Sequence, residues 1–166
     1  MMDASKILFT TDFSRFSASA LPIAVALARE SGAELLIAHV EERSAAYAGG
    51  GLFLVSSEPN LERIRESLSQ VIPNDPEIAH RHLLLRGHPA EAVLECAKRE
   101  KVDLIVIGTH GRSGLSKLLL GSVAERIFRN APCAVLTVKL PSVNFTEEDA
   151  IVDCRLEANS EHWVEF

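Results

Sequence analysis

The residues with the clearest chemical potential lie between positions 108 and 122. They run Gly108, two residues, Gly111, nine residues, Gly121, then Ser122. Gly108 closes an apolar run and lets the chain turn. Gly111 and Gly114 let backbone N–H groups approach an anion with no Cβ in the way. Gly121 and Ser122 open a helical pattern, where unpaired amides and the helix dipole favour a phosphate. The Ser122 hydroxyl can bond a phosphate or cap the helix. Two such amide clusters, spaced to wrap one ligand, suit a di- or triphosphate. The pattern is not a Walker A loop, because GxxxxGK[ST] is absent. It is not a dinucleotide fingerprint either, because the turn after the first strand reads TTDFS rather than GxGxxG.

These residues need elements to hold them. Apolar runs predict strands at Lys6–Thr10, Glu34–Val40, Ala79–Leu85, Asp103–Ile107 and Cys133–Lys139. Helical spacing lies between them. Ser17–Ser31 closes on Gly32, Glu58–Ile72 stops before Pro73, Ala90–Lys101 follows Pro89, and Gly121–Asn130 ends at Ala131-Pro132. Pro22 fits only the first turns of its helix. Strands alternating with helices predict an α/β fold, a single doubly wound five-stranded parallel sheet with helices on both faces. Ligands in such sheets bind beyond the C-terminal strand ends, at the switch point. The informative loops are therefore Thr10–Ser14, the segment after Val40, and Gly108–Ser122. Glu41–Ser57 is expected to be a loop or lid, given freedom by Gly49-Gly50-Gly51. Tyr47 could close over a ligand there, or belong to a plain crossover.

Length and charge bound the rest. The 166 residues suit one domain, and 47% apolar with 24% charged residues is ordinary globular composition. Positions 1–140 hold 16 basic and 16 acidic residues, whereas 141–166 hold seven acids and one base, a net charge of −6. The expected division is a globular domain over 1–140, which carries the phosphate-suited glycine pattern, and an acidic C-terminal extension over 141–166. The extension is a solvated segment or a contact for a protein partner. Its alternation at Val152, Cys154, Leu156 and Ala158 suits a sixth strand, with Trp163 and Phe166 as anchors, or it stays a mobile terminus. A pI near 5.5 argues against nucleic acid as a partner. No apolar run approaches the roughly 20 residues of a membrane span. No signal-peptide pattern is present, and the three cysteines lack disulfide or zinc spacing. A cytoplasmic protein with no metal site is expected, with Cys96 and Cys133 as inert core residues.

The pattern as a whole resembles the universal stress protein family, specifically its ATP-binding branch. The likeness is carried by G-2x-G-9x-G-[ST], by ILFTTDFS and LLIAHV, and by the run from Gly87 to Lys139, and it covers roughly residues 4–140. The resemblance implies strand order 3-2-1-4-5 and a homodimer through the fifth strand, Ala134 to Val138. It implies a stress-response module that binds ATP or another adenine nucleotide, with or without Mg²⁺. Matched by position, it places Thr10, Thr11 and Asp12 near adenine and ribose, and Val40 on the base or ribose. Ile107, Gly108, His110, Gly111, Arg112 and Ser113 run under ribose and phosphates, and Gly121, Ser122 and Val123 hold the phosphates. Two positions depart from the family pattern: Thr10 stands where Pro is frequent, and Ala124 where some members carry Thr or Ser.

Each candidate also has a plainer reading. Asp12 is a ribose or Mg²⁺-associated contact, or a turn residue and cap. Arg112 and Lys117 neutralise phosphate, or are surface bases. His39 reads as a packed core histidine, and His80, His82 and His88 as surface or strand-end residues. No residue stands out as a catalytic base, Asp12 being the one candidate. The alternatives to a binding module are a slow Mg²⁺-dependent ATP hydrolase and a nucleotide-free dimer that binds a protein partner.

Overall fold

A computed structural model describes residues 4–42, 44–48, 51–55, 58–109, 120–139 and 163–165. Its centre is a parallel sheet. Strand β1 (Lys6–Thr10) lies between β2 (Glu34–Glu41) and β6 (Leu104–Gly108); β5 (His80–Arg86) flanks β2, and β7 (Ala134–Val138) flanks β6. Among the five strands read from the sequence, this is the order 3-2-1-4-5. A short strand β8 (Trp163–Glu165) adds to the outer edge of β5, also parallel, opposite His82–Leu84. The alternating positions 152–158 lie outside the described residues, so the sixth strand found here is a different segment from the one the alternation suggested.

The period-2 pattern splits the core in two. Ile7, Phe9, Leu35 and Ile37 face α2 (Leu21–Ser31) and α3 (Glu58–Ser69). Leu8, Leu36 and Ala38 face α4 (Pro89–Glu100) and α5 (Ser122–Asn130). Adjacent residues on one strand thus anchor helices on opposite faces.

Two expectations are corrected. The helix read as Ser17–Ser31 is two helices, α1 (Arg15–Ala18) and α2. Pro22 sits in the first turn of α2, where its missing N–H and bulky ring prevent continuation from α1. Gly32 ends α2 in the left-handed conformation at φ 70°, as its position suggested. The expected loop or lid at Glu41–Ser57 contains an antiparallel pair, β3 (Ser44–Ala48) and β4 (Gly51–Val55), with Ala48 opposite Gly51. Two residues then separate the strands. A Gly-Gly pair between β-prone runs is a hairpin signal, and reading the glycines only as freedom missed it.

The two ends of the sheet differ in kind. At the N-terminal strand ends, the Arg81 guanidinium donates to Glu34 at 2.6 Å and Glu100 at 2.9 Å, and Lys6 reaches Glu100 at 3.3 Å. The Asp103 carboxylate accepts from the Ser5 and Lys6 amides. This end is closed by charge pairs. The C-terminal end opens into a cleft.

Candidate functional site

The cleft has a volume of about 680 Å³ and lies where β1, β2 and β6 end. Crossovers leave this point in opposite directions, toward β2 on one side and β7 on the other, which parts the chain into a crevice. Among the expected site residues, Thr10, Thr11, Asp12, Val40, Ile107, Gly108, Gly121, Ser122 and Val123 all line it. His110, Gly111, Arg112 and Ser113 lie outside the described residues, as does Lys117.

The α5 end of the cleft presents a helix N-terminus, whose amides and dipole suit an anion. Gly121 is the N-cap of α5 and has no side chain to bond the first-turn amides. Those amides have no acceptor within the helix. The Gly121 amide donates to the Thr109 carbonyl at 2.8 Å, which ties the helix start to the end of β6. Ala124 is buried and lines the same wall, so no hydroxyl is offered at that position.

The β1 end is a knot of short polar contacts. The Thr11 amide donates to the Ala38 carbonyl at 2.9 Å. Thr11 and Ser17 hydroxyls lie 3.1 Å apart, and the Ser17 hydroxyl donates to the Ser14 carbonyl at 2.9 Å. Asp12 Oδ1 accepts from the Ser14 amide at 3.0 Å and from the Ser14 hydroxyl. Asp12 thus caps its own turn while its residue lines the cleft, so the plainer role proposed for it is present in the structure.

Burial alone would raise the Asp12 carboxyl. The bonds from Ser14 and Ser17 outweigh it and hold the group below its ordinary value of 3.8. A carboxylate favoured in this way stabilises the fold above its unfolded pKa, and that contribution is lost as pH falls through the folded value. Asp12→Asn is therefore expected to cost about 1 kcal/mol near neutral pH. It should also flatten the loss of stability below about pH 4. Urea midpoints across that range check both.

Sequence reading missed part of the lining. His39, expected as a core residue, is buried but also faces the cleft, and its Nδ1 lies 2.8 Å from the Thr11 carbonyl. Glu41 and Glu42 line the cleft at the end of β2, and Asn60 and Ile64 reach it from α3. Glu41 is buried, with Arg86 Nε 3.7 Å from its Oε2. Among the described residues the cleft holds three carboxylates and no Lys or Arg. Among the same residues, no group of three or more His, Cys, Asp or Glu is placed to hold a metal ion.

The cysteines and outer histidines stand apart. Cys96 is buried in the α4 core and its thiol is pushed up to about 11 by burial. Cys133 is only partly buried, a correction to its expected place in the core, because it precedes the edge strand β7; burial again raises its thiol. His82 donates from Nε2 to the Val71 carbonyl at 2.9 Å, and His88 pairs with Glu91 at 2.8 Å. None of the three histidines at 80, 82 and 88 lines the cleft.

Comparison with known proteins decides the family. The sequence pattern of the universal stress protein family matches residues 4–139. The chain belongs to the universal stress protein family. The universal stress protein MJ0531 of Methanocaldococcus jannaschii is 39% identical over 140 residues, spanning 82% of each chain. The universal stress protein UspA from Lactobacillus plantarum has the same fold, with a TM-score of 0.67 at 21% identity, over 83% of this chain and 99% of that one. A universal stress protein crystallised in complex with cAMP is 27% identical, with a TM-score of 0.56, over 82% of this chain and 98% of the other. The family assignment makes this a stress-response protein. Among its described residues no helix is long and apolar enough to cross a membrane.

Proposed function

We propose that this universal stress protein binds an adenine nucleotide, ATP foremost, in the cleft at the C-terminal ends of β1, β2 and β6, as a regulatory module rather than an enzyme. One observation carries the reading: an uncapped helix N-terminus at Gly121 faces the same cleft as the polar ends of β1 and β2. Phosphates belong at the α5 amides, where the helix dipole favours them. The nucleoside belongs toward Thr10–Asp12 and Val40. That orientation also keeps the phosphates away from Asp12, Glu41 and Glu42, since like charges brought together cost several kcal/mol. The cAMP complex of a 27% identical relative supports an adenine ligand for the fold.

In this reading Thr10, Thr11, Asp12 and Val40 border the nucleoside. Ile107, Gly108, His110, Gly111, Arg112, Ser113, Gly121, Ser122 and Val123 serve ribose and phosphates. Mg²⁺ is proposed only as a companion of the triphosphate. The nucleotide-binding unit spans 1–140, with 141–166 as an acidic extension. A homodimer through β7 fits an edge strand whose Val135, Leu136 and Thr137 remain partly exposed. Such a pairing covers an edge that would otherwise invite uncontrolled association. The protein is proposed to work in the cytoplasm. Hydrolysis is not favoured, because Asp12, the one candidate base, is engaged in its own turn.

The test is direct. Freshly purified protein is denatured, and released nucleotide is identified by absorbance and mass spectrometry. Calorimetric titration with ATP and Mg²⁺ follows. Bound ATP, ADP or AMP, or clear binding heat, supports the reading. No nucleotide and no heat with any adenine ligand would overturn it.

A further inference from the structure

The loop that ends β1 carries an anomaly that the nucleotide reading does not use. Among the described residues, two that are not glycine have positive φ: Phe13 at 62° and Lys101 at 56°. Lys101 is the left-handed C-cap of α4, an ordinary place for that conformation. Phe13 ends no helix. A bulky aromatic residue in the left-handed region is disfavoured by contact between its Cβ and the backbone. Such residues persist where their surroundings over-determine them, and they gather at ligand clamps and switch regions.

The surroundings here can be named. The Phe13 ring stacks on the His39 ring, with centroids 4.2 Å apart and planes 28° from parallel. The Phe13 amide donates to the Thr11 hydroxyl oxygen at 3.0 Å. His39 lies on β2 and is 5% exposed. Its Nδ1 faces the Thr11 carbonyl at 2.8 Å, and a carbonyl only accepts, so Nδ1 carries the proton. One histidine of the rigid sheet therefore holds the loop at two points, the carbonyl of Thr11 and the ring of Phe13. Asp12 lies between those points. Burial alone does not explain Phe13, which is 36% exposed. Phe13 does not line the cleft, whereas Thr11, Asp12 and His39 do.

We propose, on the nucleotide reading above, that the Phe13–His39 stack is a positioning device: it holds the Thr11–Asp12 turn in its strained form so that this wall meets the nucleoside end of the ligand. Phe13 acts through its neighbours and touches no ligand. Its ring supplies the contact energy that keeps the left-handed backbone in place. Without the ring, any side chain that disfavours positive φ lets the turn relax. The ligand must then restore the turn on binding, and affinity falls.

The comparison of Phe13→Ala with Phe13→Gly separates this role from simple packing. Both remove the ring. Alanine keeps the penalty for positive φ, and glycine removes it. Titration calorimetry with Mg²⁺-ATP on the full chain is expected to show Phe13→Ala about tenfold weaker than wild type. Phe13→Gly should recover most of that loss. If the ring mattered only as packing, glycine would do no better than alanine, and that result would overturn the proposal. Equal binding by Phe13→Ala and wild type would overturn it too. A second readout needs no nucleotide. The His39 Nδ1 proton, bonded to the Thr11 carbonyl, should give a slowly exchanging NMR signal in wild type. The signal should be lost in Phe13→Ala and regained in Phe13→Gly. If wild type binds no adenine nucleotide, the nucleotide reading fails, and this signal alone decides the positioning role. Its survival in Phe13→Ala overturns the proposal.

Discussion

Gly108→Ala is expected to lower stability by about 2 kcal/mol, the usual cost of forcing extra volume into a packed site. A Cβ at position 108 would lie 2.9 Å from the Phe16 carbonyl oxygen, 3.2 Å from its carbon and 3.4 Å from the Ser17 Cα. All three are backbone atoms of α1, so no side chain can swing aside. Helix α1 is also held where it is. The Ser17 hydroxyl bonds the Ser14 carbonyl and lies against the Thr11 hydroxyl, and the Ser19 hydroxyl donates to the Phe16 carbonyl. Displacing α1 therefore disturbs the Thr11 turn as well. For a chain of this length about 2 kcal/mol corresponds to a fall in Tm of about 6 °C, measurable by calorimetry or circular dichroism. An unchanged Tm would mean that α1 does not cross the end of β6 this closely.

That result bears on what a glycine motif means. From the sequence, Gly108 is a residue that lets the chain turn beneath phosphates. In the structure it ends β6 directly under α1, where only hydrogen fits. Its spacing to Gly121 is informative about the cleft, but the demand for glycine comes from helix packing. Composition and periodicity carry no sign of such a contact, because Phe16 and Gly108 are remote in sequence.

The same distinction separates what could be read from what could not. The five strands were legible because each is a short apolar run set between helical segments, with β1, β2 and β6 covered on both faces, and that alternation led to the parallel sheet. The break between α1 and α2 was also legible in principle, since Pro22 cannot follow a continuous turn. His39 was read correctly as buried, but alternation along β2 does not reveal that the strand end opens into a cleft. Glu41 and Glu42 were missed for that reason. The conformation of Phe13 left no local trace. TTDFS contains no glycine, and a left-handed Phe follows only from the His39 ring waiting on the neighbouring strand. Tertiary contacts override local preference at this turn, and such conflicts gather at functional sites.

Gly121→Asp is expected to separate binding from stability. Gly121 has φ −57° and ψ 148°, a conformation open to any residue and typical of an N-cap. An aspartate there can accept from the first-turn amides of α5 and favours the positive end of the helix dipole. Its Cβ meets one close atom, the Thr109 carbonyl oxygen at 3.1 Å, which needs to yield by a few tenths of an ångström. The capping gain over glycine is only a few tenths of a kcal/mol, so the two effects nearly cancel and Tm should move by no more than about 2 °C. Binding should change far more. The new carboxylate would occupy the amides proposed to hold phosphate and repel the phosphates from the same position. A loss of at least about tenfold in ATP affinity, equivalent to about 1.4 kcal/mol, is the expected calorimetric result. Gly108→Ala and Gly121→Asp thus make opposite pairs of changes: one damages the fold through α1, the other leaves the fold and closes the anion site. If Gly121→Asp bound ATP as well as wild type, the α5 N-terminus would not be where the phosphates rest, and the ligand would have to lie nearer the β2 and α3 side of the cleft.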